Sequence, residues 1–166
     1  MAIRRKYSVS DVQKVIHALI AKLASATAPW SSWQAVYGYP EGEVFNFTKL
    51  LLYVDTPIKT GTLAHQGGRP AITMEIIVGC WNNGGDEGTG GVEECDIAAG
   101  HLLDLFGDVD VYNTTFTVTL GSTTYTNKSL YDHGIIITGS TGPRNIPVED
   151  PLEYRREVTV SMIVTF

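Results

Sequence analysis

The sequence predicts an α+β protein with an antiparallel or mixed sheet of about four to six strands and two main helices packed on one face. Two segments with helical periodicity interrupt a series of strand-like segments. The last segment, EYRREVTVSMIVTF, alternates so that its apolar side chains share one face. A sheet with one apolar face needs a cover on that side, which two helices can supply. We expect residues 1–166 to form a single domain of ordinary size.

The clearest element is a helix at about residues 10–24, SDVQKVIHALIAKLA. Ser10 and Gln13 fit a capping box at its start, and Asp11 suits the first turn because an acid there favours the helix dipole. The apolar side chains recur at the spacing of one buried helix face. They are Val12, Val15, Ile16, Leu19, Ile20 and Leu23.

A connector at residues 25–43 and two strands, at about 44–54 and 71–80, are predicted next. The segment between the strands, DTPIKTGTLAHQGGRP, has the composition of a long, turn-rich loop. Aromatic side chains in the connector fit either the core or an interface, where Trp and Tyr act as anchors. They are Trp30, Trp33, Tyr37 and Tyr39.

The second half begins with a helix at about residues 92–106, which places Cys95, Ala99, Leu102 and Phe106 on one side. Two strand-like runs then flank Gly121-Ser122, a pair that suits a tight II′ hairpin turn. A short apolar run at Ile135–Ile137 precedes a Gly/Pro segment within residues 133–148, and the alternating strand closes the chain.

Membrane and secretion signals are not predicted. No apolar run approaches the ~20 residues that a membrane helix needs. The basic N-terminus leads into an amphipathic pattern that contains Lys14, whereas a signal peptide has an uninterrupted apolar core. We therefore expect a cytosolic chain with no membrane partner.

Charge is distributed unevenly along the chain. The formal net charge is −6, yet residues 1–69 carry eight basic and four acidic side chains. No Lys or Arg occurs between Arg69 and Lys128, where nine acids lie between Glu75 and Asp110. An acidic middle segment argues against a nucleic-acid grip, which needs clustered Lys and Arg to neutralise phosphate.

The stretch CWNNGGDEGTGGVEEC, residues 80–95, suggests a phosphate loop at first, because it is glycine-rich and joins a strand to a helix. It lacks GxxxxGK[ST], and its acids would repel phosphate. Calcium is a weak alternative, since the oxygen ligands miss the spacing of an EF-hand loop. Those ligands would be Asn82, Asn83, Asp86 and Glu87.

Zinc and nucleophilic catalysis have little support. A zinc site would need Cys80, Cys95, His65 and His101 to converge without a CxxC or HxxxH pair. The cysteines fit buried thiols better, and Asp108-Val-Asp110 fits a solvated turn. There is no G-x-S-x-G elbow, and His17, His65, His101 and His133 fit surface or structural positions. We expect no enzyme activity, no metal site and no cofactor.

The whole layout resembles the tail terminator (tail completion) proteins of long-tailed bacteriophages. The resemblance covers nearly the full chain, in pattern and length rather than in a signature motif. It comprises an N-terminal amphipathic helix, two strands with a long arm, the helix DIAAGHLLDLF, a hairpin and the strand EYRREVTVSMIVTF. It implies a hexameric ring that caps the tail tube, ends tube polymerisation and joins the tail to the head connector.

The resemblance implies as partners other copies of the chain, the tail tube protein and the head–tail connector, with DNA only as passing cargo in the lumen and the virion as the location. It implies no catalytic residues. The divided charge suits a head-to-tail ring, with candidate interface residues Arg4, Arg5, Lys6, Asp86, Glu87, Glu93 and Glu94. Two alternatives stay open, namely another phage neck, head–tail connector or minor capsid protein, and a small metal-binding module or enzyme.

Overall fold

A computed structural model describes residues 8–25, 33–38, 51–66, 69–83, 90–148 and 153–165. These residues form two α-helices and eight strands, which confirms the α+β class. The helices are α1 (Val9–Ala24) and α2 (Gly90–Gly107). The strands are β1 (Gln34–Tyr37), β2 (Leu51–Val54), β3 (Ile58–Gln66), β4 (Arg69–Asn83), β5 (Phe116–Leu120), β6 (Thr123–Lys128), β7 (Ile135–Asn145) and β8 (Glu153–Thr165).

Six strands form one mixed sheet in the order β1-β2-β4-β8-β7, with β3 paired to β4 beside β2. The β1–β2 pair is parallel and the other pairs are antiparallel. The longest pairing joins β4 to β8 from Ala71↔Thr165 to Asn83↔Glu153, so these strands form the centre of the sheet. β5 and β6 form a separate two-stranded sheet. The sequence pattern did not predict this separation from the main sheet.

Both helices cover the same face of the sheet. Alternate residues of β4 and β8, among them Ile76 and Val160, share one buried cluster with the apolar side chains of both helices. The predicted apolar face of α1 is buried from Val12 to Ile20, and so are Cys95, Ala99, Leu102 and Phe106 of α2. Removal of this area from water supplies the main free energy of folding.

The start of α1 differs from the prediction. Ser8, not Ser10, is the N-cap, and it forms a capping box with Asp11. Ser8 Oγ accepts a hydrogen bond from the Asp11 backbone N–H at 3.1 Å, and Asp11 Oδ2 accepts one from the Ser8 N–H at 3.1 Å. The predicted partner Gln13 is buried and donates to the Val54 carbonyl at 2.9 Å, which ties α1 to the end of β2.

Two strands, and most of a third, were not predicted. The segment predicted as a loop between the early strands contains β3, because Ile58–Gln66 pairs along β4 despite Gly61 in its middle. The connector contains β1, which runs parallel to β2 from Gln34. The Gly/Pro segment after Ile137 continues β7 as far as Asn145, with register shifts along β8. The part of the predicted strand at 44–50 lies outside the described residues.

The predicted hairpin turn is confirmed between β5 and β6. A II′ turn requires a positive φ at its first central residue but not at its second. Gly121 has a φ of 61°, and the φ of Ser122 is not positive. The inward side chains of β5 are Phe116, Val118 and Leu120, which join the main core. The hairpin therefore packs in the helical layer beside α1.

Candidate interaction surfaces

The structure describes only part of the interface predicted from charge. Glu93 and Glu94 lie exposed near the start of α2. Glu94 Oε2 accepts a hydrogen bond from Asn82 Nδ2 at 2.8 Å, so it also fastens the helix to the end of β4. The other five predicted residues lie outside the described residues. They are Arg4, Arg5, Lys6, Asp86 and Glu87.

Cys80 and Cys95 are close together and fully buried, as free thiols. Cys80 Sγ donates to the Cys95 carbonyl at 3.2 Å, and Cys95 Sγ donates to the Tyr154 carbonyl at 3.3 Å. The hydrogen bond with the Cys95 thiol and burial both raise the pKa of Cys80. A buried thiol with a raised pKa is a poor nucleophile and a poor metal ligand, so this pair is a packing element.

The histidines that are described are packed against other rings. His133, expected in a loop, is buried in the 3₁₀ helix Tyr131–His133, stacked on Phe116 with ring centroids 5.7 Å apart. His101 lies beside Trp33 with centroids 6.1 Å apart. Within the described ranges, no group of three or more His, Cys, Asp or Glu is placed to hold a metal ion. The prediction of no metal site stays a prediction for the loop at 84–89.

A groove of about 500 Å³ separates α1 from β5. Lys14, His17 and Lys22 line its helix side. The lysines are eight residues apart, so their Cα atoms are about 12 Å apart along the helix axis. Burial lowers the pKa of His17, which is half-buried with its ring edge-on to Tyr37. His17 is therefore neutral at neutral pH, and the two lysines supply the charge of the groove.

The opposite wall of this groove is polar. It is formed by β5 and the end of β6, where hydroxyl and amide groups face the lysines across the gap. Ammonium, hydroxyl and amide groups together can donate several hydrogen bonds to an anion. The polar residues of the wall are Thr115, Thr117, Thr119 and Asn127. We call α1 and this wall together the basic groove.

A smaller cavity of about 210 Å³ lies at the end of α2 and the 3₁₀ helix Val109–Tyr112. Three exposed aspartates line it, and we call them the acidic ridge: Asp104, Asp108 and Asp110. Asp108 is the N-cap of the 3₁₀ helix, since its side chain accepts from the Asp110 backbone N–H. The DxD pair thus forms a capped, exposed turn, as the sequence suggested.

The sheet face opposite the helices carries a buried polar row. Tyr53, Gly79, Glu157 and Arg144 are register partners on β2, β4, β8 and β7. Gly79 makes the row possible, because a Cβ at this position would lie 2.0 Å from Tyr53 Cζ. The phenol ring therefore crosses β4, and its hydroxyl donates to Glu157 Oε1 at 2.7 Å.

Two arginines complete this row. Arg155 Nε donates to the Tyr53 hydroxyl at 2.7 Å, and Arg155 Nη2 pairs with Glu157 Oε1 at 2.5 Å. Arg144 Nη2 pairs with Glu157 Oε2 at 3.0 Å. Burial acts to raise the pKa of Glu157, but the hydrogen bonds from Tyr53 and the arginines outweigh it and lower that pKa. One buried carboxylate thus accepts hydrogen bonds from Tyr53 and from both arginines, and these contacts connect β2, β7 and β8.

The hairpin of β3 and β4 forms an arm whose β3 strand is exposed. From Ile58 to Leu63 every residue of β3 is exposed except half-buried Gly61. The exposed fraction is 65% for Ile58 and 38% for Leu63. Both faces of this part of β3 therefore carry exposed side chains.

The connector aromatics divide between core and surface where they are described. Trp33 is buried, whereas Tyr37 is exposed beside His17. Trp30 and Tyr39 lie outside the described residues.

No protein-family model matches the chain, and a search of curated proteins finds no match. None of the helices that the structure describes is both long enough and apolar enough to cross a membrane.

Proposed function

We propose that the chain is a structural virion protein that forms a ring on the end of a phage tail tube. The ring ends tube polymerisation and joins the tail to the head connector. The chain layout supports this proposal, because the α+β fold with two helices on one sheet face agrees with the resemblance described above. Its partners are other copies of itself, the tail tube protein and the connector, while DNA passes through the lumen.

The exposed arm is the observation that carries the proposal. A β3 strand with exposed apolar residues contributes little to its own core and is well suited to contact a neighbouring subunit. Two further features favour a structural protein over an enzyme. The buried row around Glu157 is internally satisfied, and Cys80 and Cys95 are buried in the core as free thiols.

The direct test adds the purified protein to polymerising tail tube protein and measures tube length by electron microscopy. We expect shorter tubes with a ring at one end. Tubes of unchanged length and bare ends would contradict the capping role. If the ring binds an isolated head connector but not tubes, the chain is a neck or connector protein instead.

Two substitutions test the arm itself. Ile58→Ser and Leu63→Ser should weaken ring formation, because each removes an exposed apolar side chain that a neighbour would bury. Ile97→Ser on α2 is the matched control, since Ile97 is 48% exposed but lies outside the arm. Equal effects at all three positions would show that the arm has no special role.

A further inference from the structure

We infer that the basic groove of one copy receives the acidic ridge of a second copy, and that this contact joins neighbouring subunits. The inference rests on the proposed function for the ring, but it specifies two surfaces that the ring proposal leaves open. The groove is the cavity between α1 and β5, and the ridge is Asp104, Asp108 and Asp110.

Neither surface is neutralised by an ion pair among the residues that the structure describes. The ion pairs formed between described residues use Arg144, Arg155 and Arg156. Lys14 and Lys22 take part in none of them, and the ridge acids form only local hydrogen bonds, such as that from Asn113 Nδ2 to Asp110 Oδ1. Opposite charges that are unpaired on two surfaces of one chain favour contact between copies.

The chemistry of the groove selects an anionic occupant. Lysine ammonium groups on one wall and threonine hydroxyls with an asparagine amide on the other can bind carboxylate or phosphate oxygens. Two lysines separated by about 12 Å are sparse for a nucleic acid, whose grip needs several neutralised phosphates. The carboxylates of a second copy are held at fixed positions on a folded surface, where they can match the positions of the groove donors.

Each surface presents more than one charge. Asp104 lies in the last turn of α2, which ends at Gly107, and Asp108 and Asp110 follow beyond the helix end. The groove offers its two lysines over about 12 Å. Because the groove and the ridge are different surfaces, each copy can place its ridge in the groove of one neighbour and receive the ridge of another neighbour in its own groove.

The test uses reversed charges in the full chain. Lys14→Glu with Lys22→Glu makes the groove acidic, and Asp104→Lys with Asp110→Lys makes the ridge basic. Each double variant alone should self-associate at least about tenfold more weakly than the wild type at low salt, measured by sedimentation. An equimolar mixture should recover association, because every junction then joins surfaces of opposite charge.

A matched pair of single variants controls for net charge. Lys22→Glu lies in the groove, whereas Lys128→Glu is an exposed lysine on β6 outside the groove lining. Only Lys22→Glu should weaken association. Melting curves establish that each variant is folded, and the recovered mixture shows that a loss of association is not caused by misfolding.

Several results would overturn this contact. They are double variants that associate like the wild type, a mixture that does not recover, or equal effects of Lys22→Glu and Lys128→Glu. If a short oligonucleotide binds the wild type through Lys14 and Lys22 while self-association is unchanged by their reversal, the occupant is nucleic acid and the inference is wrong.

The two proposals fail separately. If both double variants cap tail tubes as well as the wild type does, the contact is wrong and capping stands. If reversal and mixing behave as expected but tubes are never capped, the contact stands and the tail function is wrong. A wild type that stays monomeric at high concentration and on tubes would overturn both.

Discussion

Glu157 illustrates how single residues hold the sheet face opposite the helices. Its carboxylate is 4% exposed and is bound by Tyr53, Arg144 and Arg155. Glu157→Gln should lower the free energy of unfolding by about 3–5 kcal/mol, because it leaves the Arg155 charge buried without its counter-ion. Denaturant titration of the two proteins measures this difference.

Arg144→Gln is the control for Glu157→Gln. The Arg144 side chain binds the same carboxylate but is 62% exposed. An exposed partner contributes less than about 1 kcal/mol. Similar losses for both substitutions would mean that Glu157 is better solvated than the described geometry indicates.

Gly79 is required by the Tyr53 ring that crosses it. Gly79→Ala places a methyl group where the ring lies, so one of them must move, and we expect a loss of about 1–3 kcal/mol in unfolding free energy. Gly139→Ala on β7 is the control, because no atom lies within 4 Å of its Cβ position. A Gly79→Ala protein as stable as the control would show that the Tyr53 ring can adopt another position.

His133 gives the fold a dependence on pH. Burial lowers its pKa below the ordinary value of 6.5, so the unfolded chain binds the proton more readily than the folded one. Stability is therefore full above about pH 6.5 and falls as the pH drops through the lowered folded-state pKa. His17 contributes with the same sign, because burial lowers its pKa too.

Replacing His133 with Phe removes one of these titrating groups and keeps a ring beside Phe116 and Tyr125. The melting temperature of His133→Phe should fall less than that of the wild type between about pH 7 and pH 5. Parallel curves for the two proteins would rule out His133 as a source of the pH dependence.

At the scale of elements, two substitutions in α1 test which serine caps the helix. Ser8→Ala removes the acceptor for the Asp11 N–H and should cost about 1 kcal/mol in unfolding free energy. Ser10→Ala, the residue favoured by the sequence pattern, should be nearly neutral because Ser10 is exposed within the helix. The reverse order of effects would place the cap at Ser10 after all.

Elements with strong periodicity could be predicted from the sequence, and the others depended on tertiary pairing. The apolar face of α1 and the alternation of β8 from Val158 to Val164 fix both elements locally. β3 and the later part of β7 lack such a pattern, since Gly interrupts both segments, Pro also interrupts β7, and both residues are poor strand formers. They extend as strands because β4 and β8 offer neighbouring backbone groups to pair with.

The candidate surfaces were less predictable than the fold. Charge counting along the chain pointed correctly to a basic first part and an acidic middle, but it singled out segments, not surfaces. The groove exists only because β5 packs beside Lys14 and Lys22, about a hundred residues away in sequence. The Tyr53–Glu157 hydrogen bond likewise spans 104 residues and has no local signature.

At the scale of the whole molecule, the two charged surfaces and the exposed arm all suit contacts between subunits. The sheet and its two helices share one core, while the groove, the ridge and β3 present charge and apolar side chains at the surface. Such a subunit is suited to repeat around a ring, with charge fixing orientation and apolar contacts adding affinity. Added salt should weaken the assembly, as the Debye length falls from ~10 Å at 0.1 M to ~3 Å at 1 M.

Electron microscopy of the purified protein mixed with tail tubes tests the central claim most directly. We expect closed rings, as hexamers, either free in solution or bound to one end of each tube. Sedimentation of the same sample gives the number of subunits in the ring. A strict monomer at high concentration, together with tubes whose ends carry no added density, would contradict the account.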